Sequence, residues 1–119
     1  MRTQKIGRWG EDLAARFLVG KGYKILARNW RTRYGEVDIV AELNNVIHFV
    51  EVKTRTGLKT GEPEEAINYF KMRRLLLAGQ GFLLMNKTPE ARCQLDSLAV
   101  ILDLSQKSAK MRFKENITF

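Results

Sequence analysis

The chain of 119 residues has one cysteine, Cys93, one histidine, His48, and two prolines. A single thiol excludes an internal disulfide and any zinc site built from several cysteines, and a single imidazole excludes a histidine pair as metal ligands. No apolar run approaches the roughly 20 residues that a membrane-spanning helix needs, and the opening Met-Arg-Thr-Gln-Lys lacks the hydrophobic core of a secretory signal, so a cytoplasmic protein is expected. No internal repeat, low-complexity tract or interdomain linker interrupts the sequence. Residues 1–119 are therefore expected to fold as one domain around one core.

Positive charge is abundant. The formal net charge is +8 and the isoelectric point is near 9.9, which favours a polyanionic partner, most simply nucleic acid. Its distribution is more informative than its sum. Residues 1–33 carry +7, residues 34–66 carry −4 and residues 67–119 carry +5. An acidic centre between basic flanks suits an enzyme that holds phosphates with its flanks and a cation with its carboxylates.

The acidic centre has a readable geometry. Gly35 to Leu43 and Val46 to Arg55 are rich in β-branched residues and are separated by Asn44-Asn45, a pair that tolerates positive φ, which predicts a β-hairpin with a two-residue turn. Counting outward from Leu43 opposite Val46 places Asp38 opposite Glu51 and Glu36 opposite Lys53. Alternation then gathers Asp38, Glu51 and Lys53 on one face with Val40, Ile47 and Phe49, and places Val37, Ile39, Val50, Val52 and His48 on the other. Two carboxylates about 5 Å apart repel by roughly 3 kcal/mol at an effective dielectric of 20, a cost that a divalent cation removes. Rigidly held Asp and Glu oxygens are what Mg²⁺ prefers, with Mn²⁺ as a substitute, and Lys53 would face the same phosphate or the attacking water. A Glu36–Lys53 ladder on a solvated face would explain the charges without a ligand. The apolar residues sharing that face argue for a covered acidic cluster instead.

Around the hairpin, residues 6 to 19 are spaced as a helix with Ile6, Gly10, Leu13 and Phe17 on one face and Glu11 on its flank, ended by Gly20 and Gly22. Tyr23 to Trp30 is expected as a strand in which Tyr23, Ile25 and Ala27 alternate with Lys24, Leu26 and Arg28. Basic and aromatic residues then interleave through Tyr34, with Trp30 expected in the core and Arg28, Arg31 and Arg33 as phosphate contacts. Arg55, Lys71 and Arg74 extend this set of candidate nucleic-acid-binding residues. After a loop, a second helix is expected to begin near Pro63, with Glu64 and Glu65 in its first turn. Its buried face is expected at Tyr69, Met72, Leu76 and Leu83, with a weak point or an end near Gly79 and Gly81. Cys93 to Leu102 is expected as a buried strand, residues 105–109 as a turn, and Lys110 to Lys114 as a short edge strand. The expected fold is α/β: a mixed sheet in the order αβββαβ, with an extra edge strand, flanked by helices.

An aspartate followed by Glu-Val-Lys on the next strand, preceded by a helix with a glutamate, resembles the PD-(D/E)XK nuclease superfamily of restriction endonucleases and archaeal Holliday-junction resolvases. Gly7-x-x-Gly10-Glu11-x-x-Ala14, Asn29-x-Arg31, Gly35-Glu-Val-Asp-Ile-Val40, Phe49-Val-Glu-Val-Lys-Thr-Arg55 and Glu65-Ala66 to Lys71 resemble the bacterial YraN family over nearly the whole chain. The resemblance implies a restriction-endonuclease-like sheet, Asp38 and Glu51 as metal ligands, Lys53 near the scissile phosphate and Glu11 as an accessory ligand. It implies no particular substrate. The chain departs from the family pattern at Gln94-Leu95-Asp96, where the family usually has Arg-Phe-Asp. The leading expectation is a Mg²⁺-dependent nuclease acting on DNA, branched or recombination intermediates among the candidates. The alternatives are a noncatalytic nucleic-acid-binding protein that retains the fold and a scaffold for an acidic protein. Cutting both strands of a duplex would need two sites, which makes a homodimer the simplest route to that product.

Overall fold

A computed structural model describes residues 3–57 and 68–117. Pro63, Glu64, Glu65 and Ala66, and with them the expected start of the second helix, lie outside the described residues. The element order is α1 (Thr3–Gly20), β1 (Lys24–Thr32), β2 (Gly35–Leu43), β3 (Val46–Thr56), α2 (Tyr69–Met85), β4 (Cys93–Asp103) and β5 (Ser108–Lys114). The strands form one five-stranded sheet in the order β1-β2-β3-β4-β5, antiparallel throughout except for the parallel pair β3–β4. Because parallel neighbours need a crossover, the chain between β3 and β4 must carry an element across one face, and α2 is that element. The expected extra edge strand is present as β5. No helix among the described residues is long and apolar enough to cross a membrane.

The sheet has a core on each face. One is formed by Ala14, Ala15 and Leu18 of α1 with Tyr23, Ile39, Ala41, Val50, Leu98, Val100 and Leu102. The other is formed by Met72, Leu75, Ala78, Phe82 and Leu83 of α2 with Val37, Val40, Ile47, Phe49 and Leu95. The buried stripe of α2 is displaced from the one expected. Tyr69 is 54% exposed and Leu76 37%, while Leu75, Ala78 and Phe82 face the sheet. Three leucines in a row at 75–77 fit either stripe, and only docking on Phe49 chooses between them. The helix also runs unbroken through Gly79 and Gly81 to Met85. Gly79 is there for a close approach: a Cβ at that position would lie 2.6 Å from two carbons of the Phe49 ring.

The hairpin forms as its sequence predicts, with Leu43 opposite Val46 and Asn44 and Asn45 at φ 52° and 65°, the left-handed pair of a type I′ turn. Strict alternation fails in two places. On β1 the register shifts between Ile25 and Ala27, so Ile25 packs toward α1 while Leu26 and Ala27 pack toward α2. A second irregularity crosses β1 and β2 together. Pairing holds at Arg28–Ile39 and Trp30–Val37 but passes over Asn29 and Asp38, and Asn29 has φ 54°. Arg28 and Ile39 face α1, whereas Trp30 and Val37, two residues away on each strand, face α2. Val37 therefore does not share a face with Ile39. The switch is what places Asp38.

Candidate functional site

Asp38 stands at that switch, and from there β2 and β3 separate. Their pairing runs from Leu43–Val46 to Ile39–Val50 and stops. Asp38 and Glu51 are thus not a paired rung, and Glu36 pairs with Arg31 of β1, to which it also forms a 3.2 Å ion pair, rather than with Lys53. At the next step Asp38 Oδ2 accepts the Val52 backbone N–H at 2.8 Å, so a side-chain carboxylate takes the donor that the ladder would otherwise satisfy. The strands open into a fork with Asp38 at its crotch.

A cleft lies on each face of the fork, and Asp38 lines both. The cleft on the α2 side, of ≈ 470 Å³, also has Arg31, Arg33, Glu36, Glu51, Lys71 and Arg74 in its walls. The cleft on the α1 side, of ≈ 650 Å³, has Arg8, Glu11, Lys53 and Arg55. The structure thus brings Asp38, Glu51, Lys53 and Glu11 to one region. Glu51 is buried, and its Oε1 accepts two ammonium groups, Lys53 Nζ at 3.1 Å and Lys71 Nζ at 2.9 Å. Glu11 is oriented by Arg28 at 3.2 Å and Asn29 at 3.0 Å. Gly10 makes this placement possible, because any Cβ there would collide with the Thr54 side chain and hold α1 away from β3.

Glu11, Glu36 and Glu51 each pair with a cation, whereas Asp38 has only the Val52 N–H. The Asp38 carboxyl is pushed up to about 7, first by burial and next by the charge of Glu51, with Glu11 and Glu36 adding and the Val52 N–H opposing.

The donor set fits a hard cation. All candidate ligands are oxygens, Asp38 keeps one oxygen free of the Val52 bond, and Glu51 already gathers positive charge. The Ser97 hydroxyl, on the β4 partner of Glu51 and so on the same face, is buried without a protein hydrogen-bond partner. Asp38 and Glu51 would hold the ion, with Glu11 and Glu36 as further carboxylates lining the clefts. Among the described residues Glu11, Asp38 and Glu51 are not drawn within 4.8 Å of one another as a set of three.

The set of three that does approach within 4.8 Å is His48, Asp96 and Glu115. It lies on the α1 side, and sequence reading did not assemble it. His48 is a packed histidine, as expected, but its Nδ1 lies 2.5 Å from Asp96 Oδ2, and the other Asp96 oxygen accepts from Gln94 Nε2 at 2.8 Å and the Asn116 N–H at 2.9 Å. Tyr23 covers the imidazole edge-on at 5.0 Å, and its hydroxyl is pushed up to about 12 by burial first and then by Glu115 and Asp96. The 2.5 Å contact is a hydrogen bond between the imidazole and the carboxylate. The group fastens the segment after β5 to the sheet, together with the Ile117 N–H donated to the Leu95 carbonyl at 2.8 Å. Only the β3–β4 parallel pairing brings these residues together, and no local pattern signals it.

The candidate phosphate contacts differ in availability. Arg28 is bound to Asp12 at 2.7 Å as well as to Glu11. The Arg31 side chain is 74% exposed despite its pairing with Glu36, and Arg33 and Arg74 are exposed on the same side. Arg55 donates to the Thr54 carbonyl at 2.9 Å and lines the α1-side cleft. Trp30 is core: its indole N–H donates to the Ala78 carbonyl at 3.0 Å, and Phe82 meets its ring edge-on at 5.3 Å.

These features define a mixed α/β protein whose sheet opens into a charged fork between two helices. The chain belongs to the family described as Uncharacterised protein family UPF0102, the YraN-like family, whose model matches residues 10–102. It is 44% identical over 114 residues to a UPF0102 protein of Alkaliphilus oremlandii, covering 96% of this chain and 97% of the relative. A UPF0102 protein of Chloroherpeton thalassium is 40% identical over 113 residues, covering 95% and 88% of the two chains. Another, from Syntrophomonas wolfei, is 50% identical over 87 residues, covering 73% and 74%.

Proposed function

We propose that the protein is a Mg²⁺-dependent nuclease of the restriction-endonuclease-like superfamily that hydrolyses phosphodiesters in DNA, branched or recombination intermediates being its candidate substrates. The observation that carries this reading is the position of Asp38: a half-buried carboxyl at the point where two strands part, among Glu51, Glu11 and Glu36, with arginine-lined clefts on both sides. A divalent ion bound there supplies positive charge at a phosphate oxygen and Lewis acidity at neutral pH. Asp38 and Glu51 would hold it, Asp38 being kept in place by its bond to the Val52 N–H. Lys53, only 13% exposed and held on Glu51, would orient an attacking water or stabilise the developing phosphorane charge. Arg31, Arg33 and Arg74 on one face and Arg55 on the other hold the flanking phosphates.

One observation favours a second reading. Lys53 and Lys71 already neutralise Glu51 without a metal, as they would in a module that binds nucleic acid and does not cut it. Incubating end-labelled duplex, single-stranded, flap and four-way-junction DNA with the protein in Mg²⁺, Mn²⁺ and EDTA separates the two. Products with metal and none in EDTA support the nuclease. Binding that persists in EDTA, with no product under any condition, supports the module.

A further inference from the structure

We propose that Lys71 is a displaceable counter-ion: it occupies Glu51 in the metal-free protein, yields that carboxylate to the divalent ion, and transfers its ammonium to a substrate phosphate. The inference rests on the nuclease reading above and assigns a residue that couples metal binding to strand binding.

The two lysines on Glu51 Oε1 are not equivalent. Lys53 comes from the same strand, two residues along, and its side chain is 13% exposed. Lys71 comes from the first turn of α2, reaches the same oxygen at 2.9 Å, and is 40% exposed along its length. Its backbone is fixed, while the ammonium on Glu51 is carried by a flexible stem. The Lys71 N–H is anchored to the Oδ1 of Asn68, the N-cap of α2, at 3.0 Å, whereas the four-carbon stem spans the α2-side cleft. An ammonium on Oε1 stands where a cation bound to that oxygen would have to lie, and with Lys53 already on the same oxygen an arriving divalent ion would be a third positive centre there, so one ammonium must give way. Lysine, a compact point charge on a flexible stem, can leave. It need only rotate toward the cleft, whose wall carries Arg31, Arg33 and Arg74, to join them on a phosphate.

The consequence is a competition with a definite sign. With Lys71 present, the free protein resists the ion; once a strand draws Lys71 away, Glu51 is released to bind it. An ion is thus recruited together with substrate rather than held idly by the apo site.

The experiment is a calorimetric titration of Mg²⁺ and Mn²⁺ into wild type, Lys71→Met and Lys71→Arg without DNA, paired with the salt dependence of duplex binding in EDTA. Thermal melting establishes that each variant is folded. Lys71→Met should bind the ion about tenfold more tightly than wild type, and Lys71→Arg, which keeps the charge, should not. The same Lys71→Met protein should bind duplex more weakly, with a slope of log K against log salt shallower by about 0.9. Equal or weaker metal affinity in Lys71→Met overturns the counter-ion, and an unchanged salt slope overturns the transfer to phosphate. If wild type cuts DNA in a metal-dependent way while Lys71→Met binds metal no more tightly, this inference falls alone. If neither protein binds the ion and nothing is cut, the nuclease reading falls and takes the inference with it.

Discussion

Asp38 Oδ2 accepts the backbone N–H of Val52 at 2.8 Å, one step beyond the last paired rung of the β2–β3 ladder. That bond lets the two strands part without orphaning a donor. It also holds the carboxyl between the two clefts, with its second oxygen free.

A pH dependence follows from the same burial. The Asp38 carboxyl, at about 7 in the folded chain and near 3.8 when unfolded, is held protonated by the fold across that interval. Its contribution to stability is therefore fully present below about pH 4 and is lost as pH rises through about 7, by up to about 1.4 kcal/mol per pH unit. In EDTA, Asp38→Asn should flatten this fall and melt at or above wild type at pH 7.5, since the amide oxygen can still accept the Val52 N–H. Melting well below wild type would make the carboxylate structural.

The His48–Asp96 pair predicts a stability loss remote from the fork. His48→Ala removes one donor from a carboxylate with no solvent exposure, leaving it only Gln94 and the Asn116 N–H. Breaking a buried pair from one side costs about 3–5 kcal/mol, and the two surviving bonds place this case near the lower end. Urea unfolding should show a lowered midpoint, with metal affinity at the fork unchanged in the folded protein. A loss under about 1 kcal/mol would show that the pair does not fasten the segment after β5.

In a solvent-exposed helix interior, glycine to alanine stabilises by about 1 kcal/mol. At Gly79 the sign should reverse, because the new methyl would meet the Phe49 ring at 2.6 Å. Overpacking of this kind typically costs about 1–3 kcal/mol. Chemical denaturation of Gly79→Ala should show a net loss, and a gain would mean that α2 can lift off Phe49 freely.

Binding should be strongly salt-dependent. With Arg31, Arg33, Arg55, Lys71 and Arg74 each neutralising one phosphate, log K on duplex DNA should fall with log salt at a slope of about −4.5. Arg28→Ala should change that slope by less than about 0.5, since Arg28 is bound to Glu11 and Asp12. Fluorescence anisotropy over a salt series reads both. An affinity independent of salt would exclude the phosphate-holding role of the clefts.

Much of this architecture was legible in local pattern: the hairpin, its Asn-Asn turn, the first helix, the buried late strand and the basic edge strand each follow from spacing and turn chemistry. The closeness of Asp38 to Glu51 was expected from the register of the two-residue turn, but the rung that expectation used, Asp38 opposite Glu51, does not form. The break beyond Ile39–Val50 was not legible, since alternation assumes a regular ladder and the left-handed Asn29 beside Asp38 ends it. Nor could sequence place Lys71 on Glu51 or join His48 to Asp96. Both depend on how α2 and the parallel β4 return to the sheet, a long-range choice that no window of residues encodes.

The fork itself is tested most directly by cleavage of labelled four-way-junction, flap, duplex and single-stranded DNA at pH 8 in Mg²⁺ or Mn²⁺, comparing wild type with Asp38→Asn shown by melting to be folded. The account predicts products from wild type on at least one of these substrates, none in EDTA, and a loss of at least about 100-fold in rate for Asp38→Asn. Cleavage that Asp38→Asn retains, or no cleavage of any substrate by wild type with either metal, would contradict it.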